Sequence, residues 1–275
     1  MSTYLIRVFY DGTNYYGSQW QPDTNTVQGQ LIDAFGKWDD RTHSIETVQL
    51  SGRTDKGVHS IGQIGLIITD KKISLDKINR YLPDDITIWA YVDAPLGFKP
   101  RYDVLARHYR YYHRIVGDMV NIEKIRIGIQ SLVGSHNYAL ISKPDGNRST
   151  TSTILNASVR IFGDLLIFDF FGTRFLWKLV RKSVSLLIQI GQGKHSPEII
   201  DNLLLLEPTA GGIKPAPAEG LVLIESIVPI SMKQNKNAIF RIRRYLDTKS
   251  EYFARMHATF NGVNVDFLSE RRIPF

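Results

Sequence analysis

Residues 52–59 read Gly52-Arg53-Thr54-Asp55-Lys56-Gly57-Val58-His59, followed by an apolar run at 64–68. One carboxylate, Asp55, stands between two cations in a glycine-bounded turn. A carboxylate enclosed from water keeps its charge only with cationic or hydrogen-bonding partners, and Arg53 and Lys56 are on hand. Asp55 is therefore a candidate nucleophile. A turn of Gly, Thr, Asp and Lys is more often a simple turn with solvated charges, so the surrounding elements have to be read with it.

Residues 4–10 alternate and are rich in β-branched and aromatic side chains, which predicts a strand ending at the Asp11-Gly12 turn. Val27, Leu31, Ala34, Phe35 and Trp38 have helical spacing, with Asn25 or Thr26 as cap. Strands are expected at 48–50, 64–68 and 86–92, and a short helix at 75–81 stopped before Pro83. A second cycle starts near 106: a strand at 107–116, a helix at 123–134 and a strand pair, 158–161 and 165–171, around Gly163-Asp164. Helices at 175–190 and 197–206 and a strand at 221–227 complete it. Two half-chains that both mix strands and helices predict an α+β fold: two similar halves, mixed or antiparallel sheets backed by helices, and a central cleft. The expected division is 1–105 for the half with the Asp55 loop, 106–230 for the half completing the cleft, and 231–275 for a basic helical extension.

In that extension Ile239, Ile242, Leu246, Phe253, Met256 and Phe260 form one stripe, predicting a helix over 237–260 that ends near Asn261-Gly262. The stripe favours docking onto the body or a second subunit over an independent RNA-binding helix. Residues 147–152, four of them Ser or Thr, read as a flexible surface loop carrying Arg148.

With 275 residues, 43% of them hydrophobic, the chain can bury a substantial core. It has no cysteine, which excludes disulfides, thiolate-bound zinc, iron–sulfur clusters and Cys nucleophiles. No apolar stretch approaches the roughly 20 residues of a membrane span, and the first residues lack a leader pattern. A cytoplasmic protein with no membrane partner is expected. The net charge of +7 suggests an anionic partner. The charge is uneven: residues 1–105 carry 11 cations and 13 acids, 106–230 carry 14 and 10, and 231–275 carry 9 and 4. The seven His lack ligand spacing, so no metal is expected. Gly191-Gln192-Gly193-Lys194 is not a phosphate loop, because Ile188 replaces the required glycine and His195 the Ser or Thr; no nucleotide cofactor is implied.

Four further blocks accompany the Asp55 turn: Tyr10-Asp11-Gly12 with Tyr16-Gly17 and Gln19; Arg107-His108-Tyr109-Arg110-Tyr111; Phe175-Leu176-Trp177-Lys178-Leu179-Val180-Arg181; and Pro217-Ala218-Glu219-Gly220-Leu221. In this order the five blocks closely resemble the tRNA pseudouridine synthase A family, over roughly residues 4–228. The resemblance implies that Asp55 is the catalytic aspartate, that Arg53 handles the target nucleotide's backbone or helps hold the nucleotide out of the stack, and that Tyr109 stacks on the target base. It implies that Arg181 pairs with the catalytic carboxylate, and that Arg148 lies in a mobile loop, although Ser149-Thr150-Thr151 departs from the family's usual neighbours there. Lys56, His59, Arg107 and Arg110 fall within or beside the matched blocks and are expected to touch RNA, as is His108. A homodimer acting without cofactor on the tRNA anticodon stem-loop, around positions 38–40, is also implied.

These residue types suit such a reaction. Breaking the N-glycosidic bond of uridine and rejoining the ribose through C5 needs a carboxylate near C1′ or C2′, as nucleophile or as the base of a glycal-type route. The nucleotide must leave its stack at a cost of a few kcal/mol. Stacking on Tyr109 returns about 1–3 kcal/mol and cationic contacts to phosphate supply the rest. The competing reading is a non-catalytic basic RNA-binding module, in which Asp55 is dispensable.

Overall fold

The computed structural model describes residues 1–115, 120–209 and 211–268. Its strands are β1 (Ser2–Tyr10), β2 (Val48–Leu50), β3 (His59–Thr69), β4 (Ile86–Asp93), β5 (Ala106–Arg114), β6 (Gly134–Asn137), β7 (Thr151–Phe162), β8 (Leu165–Gly172), β9 (Leu221–Ile227) and β10 (Lys233–Gln234). They form one ten-stranded sheet in the order β10-β4-β1-β3-β9-β5-β8-β7-β6, with β2 also on β3. All pairings are antiparallel except β3 with β9. The first half-chain thus continues into the second through one parallel join, rather than forming a sheet of its own.

The helices are α1 (Val27–Asp39), α2 (Leu75–Ile78), α3 (Pro100–Asp103), α4 (Ile122–Ser131), α5 (Leu179–Gly191), α6 (Ile199–Leu204) and α7 (Lys236–Leu268). Thr26 caps α1 by accepting from the N–H of Gly29 at 3.2 Å, the role its type predicts. The apolar stripe of α1 (Val27, Leu31, Phe35) and that of α2 pack on Ile6, Val8 and Tyr10 of β1. Helices α4, α5 and α6 bury Ile125, Leu187 and Leu203 against Tyr109, Phe168 and Phe170. Each fully enclosed Phe or Leu contributes about 1.5–3 kcal/mol. Tyr10, Ser60, Leu223 and Tyr109 stand opposite one another across β1, β3, β9 and β5, so both clusters lie on the same face of the sheet. Between the two groups of helices the central strands are left for a loop to cover.

Several boundaries differ from the sequence reading. Helix α5 starts at Leu179, not 175, because Lys178 adopts a left-handed conformation (φ 62°) that interrupts the helical path. Helix α7 runs through Asn261-Gly262 to Leu268; an interior Gly costs only about 1 kcal/mol, too little to end a long helix. Thr151 and Ser152, read as loop, already pair with β6. The expected strand end Val116 and the tail beyond Leu268 lie outside the described residues.

Candidate active site

The edge of β3 changes partner along its length: residues 65–67 pair with β2, while His59 and Ser60 pair with β9. Residues 51–58 emerge where β2 ends and rejoin β3 where β9 takes over. This loop is tied at each turn. The Ser51 N–H donates to the carbonyl of Ile64 (2.8 Å), and Gln63 Nε2 donates to that of Gly52 (2.8 Å). The Thr54 N–H donates to Ser18 Oγ (2.8 Å), and the Ser18 N–H returns a bond to the Thr54 carbonyl (3.1 Å). Tyr10 Oη and Thr54 Oγ1 share a buried bond of 2.9 Å. Two glycines permit the close seating: a Cβ on Gly12 would lie 2.1 Å from the Val58 carbonyl oxygen, and Gly17, at φ +106°, would place one 2.7 Å from that of Thr54.

This scaffold directs Asp55 toward the second half. Arg181, two residues into α5, donates Nη1–H to Asp55 Oδ2 at 2.7 Å and Nε–H to the Ala216 carbonyl at 2.7 Å. The Ala216 N–H in turn donates to the Arg181 carbonyl at 3.0 Å, which fixes the guanidinium from both sides. Trp177 donates Nε1–H to the other oxygen, Oδ1, at 2.9 Å. The left-handed Lys178 separates Trp177 from α5 and lets its indole reach the carboxylate. Lys143 secures this turn by donating its N–H to the Trp177 carbonyl (2.7 Å) and laying Nζ 4.0 Å from the ring centroid. The Arg181 side chain is 13% exposed and that of Asp55 23%. A carboxylate held by one cation and one neutral donor keeps lone pairs free on both oxygens, and the open side of Asp55 is available to a ligand.

Tyr109 borders the same space. Its ring is buried and meets Phe175 edge-on at 5.1 Å. Burial pushes its phenol up to about 12; Arg107 opposes the shift and the charge of Asp55 adds to it. It is a neutral aromatic wall at neutral pH.

The remaining sequence candidates are distributed differently from the sequence reading. Neither Arg53 nor Lys56 is the partner of Asp55: Arg53 lies 3.8 Å from Asp145, and Lys56 places Nζ 3.8 Å over the Tyr16 ring, because the turn projects the two cations outward on either side of the inward carboxylate. Arg148 pairs with the same Asp145, so two half-exposed arginines meet one acid at the rim. Arg107, expected to touch RNA, is buried and donates to the carbonyls of Ser51 (2.7 Å) and Thr173 (2.8 Å); it braces the loop from beneath. Arg110 and His108 alternate with Tyr109 along β5 and project from the opposite face, where both bind Asp169. His59 lies against the N–H of Gly12 (3.0 Å) and the Asp11 carboxylate (3.1 Å), and its Nε2–H donates to the Glu219 carbonyl (3.1 Å). Trp177 stands within the fourth motif block, but its sequence context assigns it no role. The only signal was an indole four residues before the arginine, on what read as a regular helix.

Comparison with known proteins places the chain in a family. A family model described as tRNA pseudouridine synthase matches residues 7–103 and 129–227. A protein of Methanosarcina barkeri called tRNA pseudouridine synthase A is 36% identical over 223 residues, covering 80% of this chain and 82% of its own. Another of that name, from Methanococcoides burtonii, is 33% identical over 271 residues, 96% of each chain. Among solved structures, the archaeal box H/ACA sRNP Nop10-Cbf5 complex overlaps 68% of this chain and 42% of its own at 13% identity and a TM-score of 0.34, too distant to bear on the site. With the motif carboxylate, its arginine and the aromatic wall all inside the matched segments, the chain belongs to the tRNA pseudouridine synthase family.

Proposed function

We propose that this protein converts uridine to pseudouridine in the anticodon stem-loop of tRNA, around positions 38–40, with Asp55 as the catalytic group. The observation that carries the reading is the carboxylate of Asp55, held at 2.7 Å by Arg181 and 2.9 Å by Trp177 yet open on its remaining side. The target nucleotide leaves its stack and enters between the two groups of helices, its base against Tyr109. Asp55 then faces C1′ and C2′ of the ribose. Both routes from that point use the same charged oxygen: attack at C1′, which displaces N1 of uracil as its anion, or removal of the C2′ proton with loss of the same anion to give a glycal. The freed uracil turns, C5 bonds C1′ as the Asp55 ester is displaced or the proton is returned to C2′, and the C5 proton leaves to solvent. Arg181 stabilises that charge, and Arg107 holds the loop's backbone. Arg53 and Arg148 exchange Asp145 for tRNA phosphates at the rim.

The first half-chain supplies the carboxylate and the second its arginine, so neither half is active alone. A cytoplasmic homodimer fits the rest of the molecule. Leu246, Phe253, Phe260 and Val263 on α7 are each at least 45% exposed, and their spacing repeats in steps of seven and three, which suits a second helix of the same kind.

The test is direct. Pseudouridine mapped in tRNA before and after exposure to the purified protein appears in the anticodon stem-loop. Asp55→Ala binds tRNA within about threefold of the wild type but releases tritium from 5-tritiated uridine at least about a thousandfold more slowly. Undiminished release by that variant returns the protein to the class of RNA-binding modules.

A further inference from the structure

The family match ends at residue 227, yet the 33-residue helix α7 runs past the seat of the catalytic loop. Its start is anchored by Arg241, which donates to the carbonyls of Asn79 (2.6 Å), Leu82 (3.0 Å) and Pro83 (2.9 Å) ahead of β4. One turn on, Tyr245 packs edge-on against Phe9 of β1 (6.0 Å) and donates its hydroxyl to Asp11 Oδ2 at 2.6 Å. Lys249, one turn further, places Nζ 3.1 Å from the same oxygen. Two turns beyond, His257 meets Arg114 at the end of β5 (3.0 Å). From Arg241 to His257 the helix advances roughly 24 Å at 1.5 Å per residue, enough to cross the four strand spacings from β4 to β5, about 19 Å. It straps both halves along the end of the sheet at which β3 begins.

Asp11 divides its carboxylate between two structures. Oδ2 is taken by Tyr245 and Lys249 of α7. Oδ1 accepts from the N–H (2.9 Å) and hydroxyl (2.5 Å) of Thr13 and lies 3.1 Å from Nδ1 of His59, the residue that ends the catalytic motif. Gly12, next in sequence, bonds the same imidazole and is the residue whose bare Cα allows Val58 to sit against it. A displacement of Asp11–Gly12 would therefore move both His59 and the backbone three residues from Asp55. Burial alone would push the Asp11 carboxyl up, but the His59 imidazole beside it and the hydrogen bonds from Thr13 and Tyr245 outweigh it and hold the group well below the usual carboxylate range.

We propose that Tyr245 and Lys249 of the C-terminal helix are positioning residues of the active site, holding the Asp55 loop in register through the shared carboxylate of Asp11. The inference deepens the synthase reading and rests on it for its kinetic test. A second test stands apart from catalysis.

The double variant Tyr245→Phe/Lys249→Met removes both donors while keeping the ring and the aliphatic stem. At saturating tRNA its single-turnover tritium release falls about tenfold, while tRNA affinity stays within about twofold. Lys249→Arg, which keeps the cation, retains most of the rate. Amide exchange gives the independent readout: the Val58 N–H, bonded to the Asp55 carbonyl at 3.1 Å, exchanges about tenfold faster in the double variant, while amides in α5 do not change. Wild-type turnover in the double variant overturns the proposal. So does a rate loss matched by an equal loss of affinity, which makes α7 an RNA contact, and so does unaltered Val58 exchange. A wild-type protein without synthase activity refutes the function, and the exchange experiment still decides whether α7 holds the loop. Should the double variant fail to fold, the single variants Tyr245→Phe and Lys249→Met are scored by the same two measurements.

Discussion

Asp55 and Asp169 are both aspartates bonded to arginine, on opposite faces of one sheet, and they are built for different ends. Asp169 is 4% exposed and receives three side chains: His108 Nε2 (2.5 Å) and Arg110 Nε (2.8 Å) on Oδ1, and Arg160 Nη1 (2.8 Å) on Oδ2. Burial pushes its carboxyl up, but the bonds from His108 and Arg110 prevail and bring it down to about 2. Asp55 has one cation and one indole, and its side chain is 23% exposed. A carboxylate saturated by charged donors fastens strands together. One left partly unsatisfied in a cleft has capacity to spend on a substrate. Proximity to arginine therefore does not distinguish the two aspartates; the unfilled part of the acceptor does.

Three substitutions put that contrast under strain. Arg181→Met removes the one cation that pairs with Asp55 among the described residues and lowers turnover about a hundred- to a thousandfold with tRNA affinity within about threefold; near-normal turnover refutes the pairing. Trp177→Phe keeps an aromatic ring but deletes the N–H on Oδ1, and a charge-assisted hydrogen bond of this kind predicts roughly a tenfold lower single-turnover rate. If only affinity falls, the indole contacts RNA instead of tuning the acid.

Asp169→Asn leaves the rate per folded molecule unchanged and acts on stability. The folded carboxyl sits below its ordinary value of 3.8, at about 2, so its contribution is fully present above pH about 4 and is lost as pH falls from there through about 2. That contribution is about 2 kcal/mol at neutral pH. In denaturant titrations the wild type loses this increment across that window, whereas the Asn variant starts lower and shows no such step.

How much of this was legible in the sequence followed from where each partner lies along the chain. The Asp55 turn was readable because its chemistry is contiguous, and the resemblance across five blocks led to Arg181, whose bond to Asp55 spans 126 residues. The mixed sheet backed by helices followed from two periodicities, and Thr26 was named as an alternative cap of α1. The parts that were not legible depend on single backbone choices. Arg53 and Lys56 looked like partners of Asp55 because they are adjacent to it, and adjacency in a turn sends side chains apart. Strand parity puts Tyr109 on the helical face and Arg110 on the other, a distinction that a basic-aromatic cluster in sequence does not carry. Trp177 reaches the carboxylate only through a left-handed residue, Lys178, that no propensity at that position announces.

The parallel join of β3 to β9 is short: only His59 with Val222 and Ser60 with Leu223 are in register. During synthesis the acid at 55 leaves the ribosome long before its guanidinium at 181, and longer still before the strand at 221 that joins the two parts of the sheet. Long-range pairing of this kind forms late. A nascent chain that ends before residue 181 therefore carries the motif without its guanidinium, and the two parts of the sheet become one only when β9 docks.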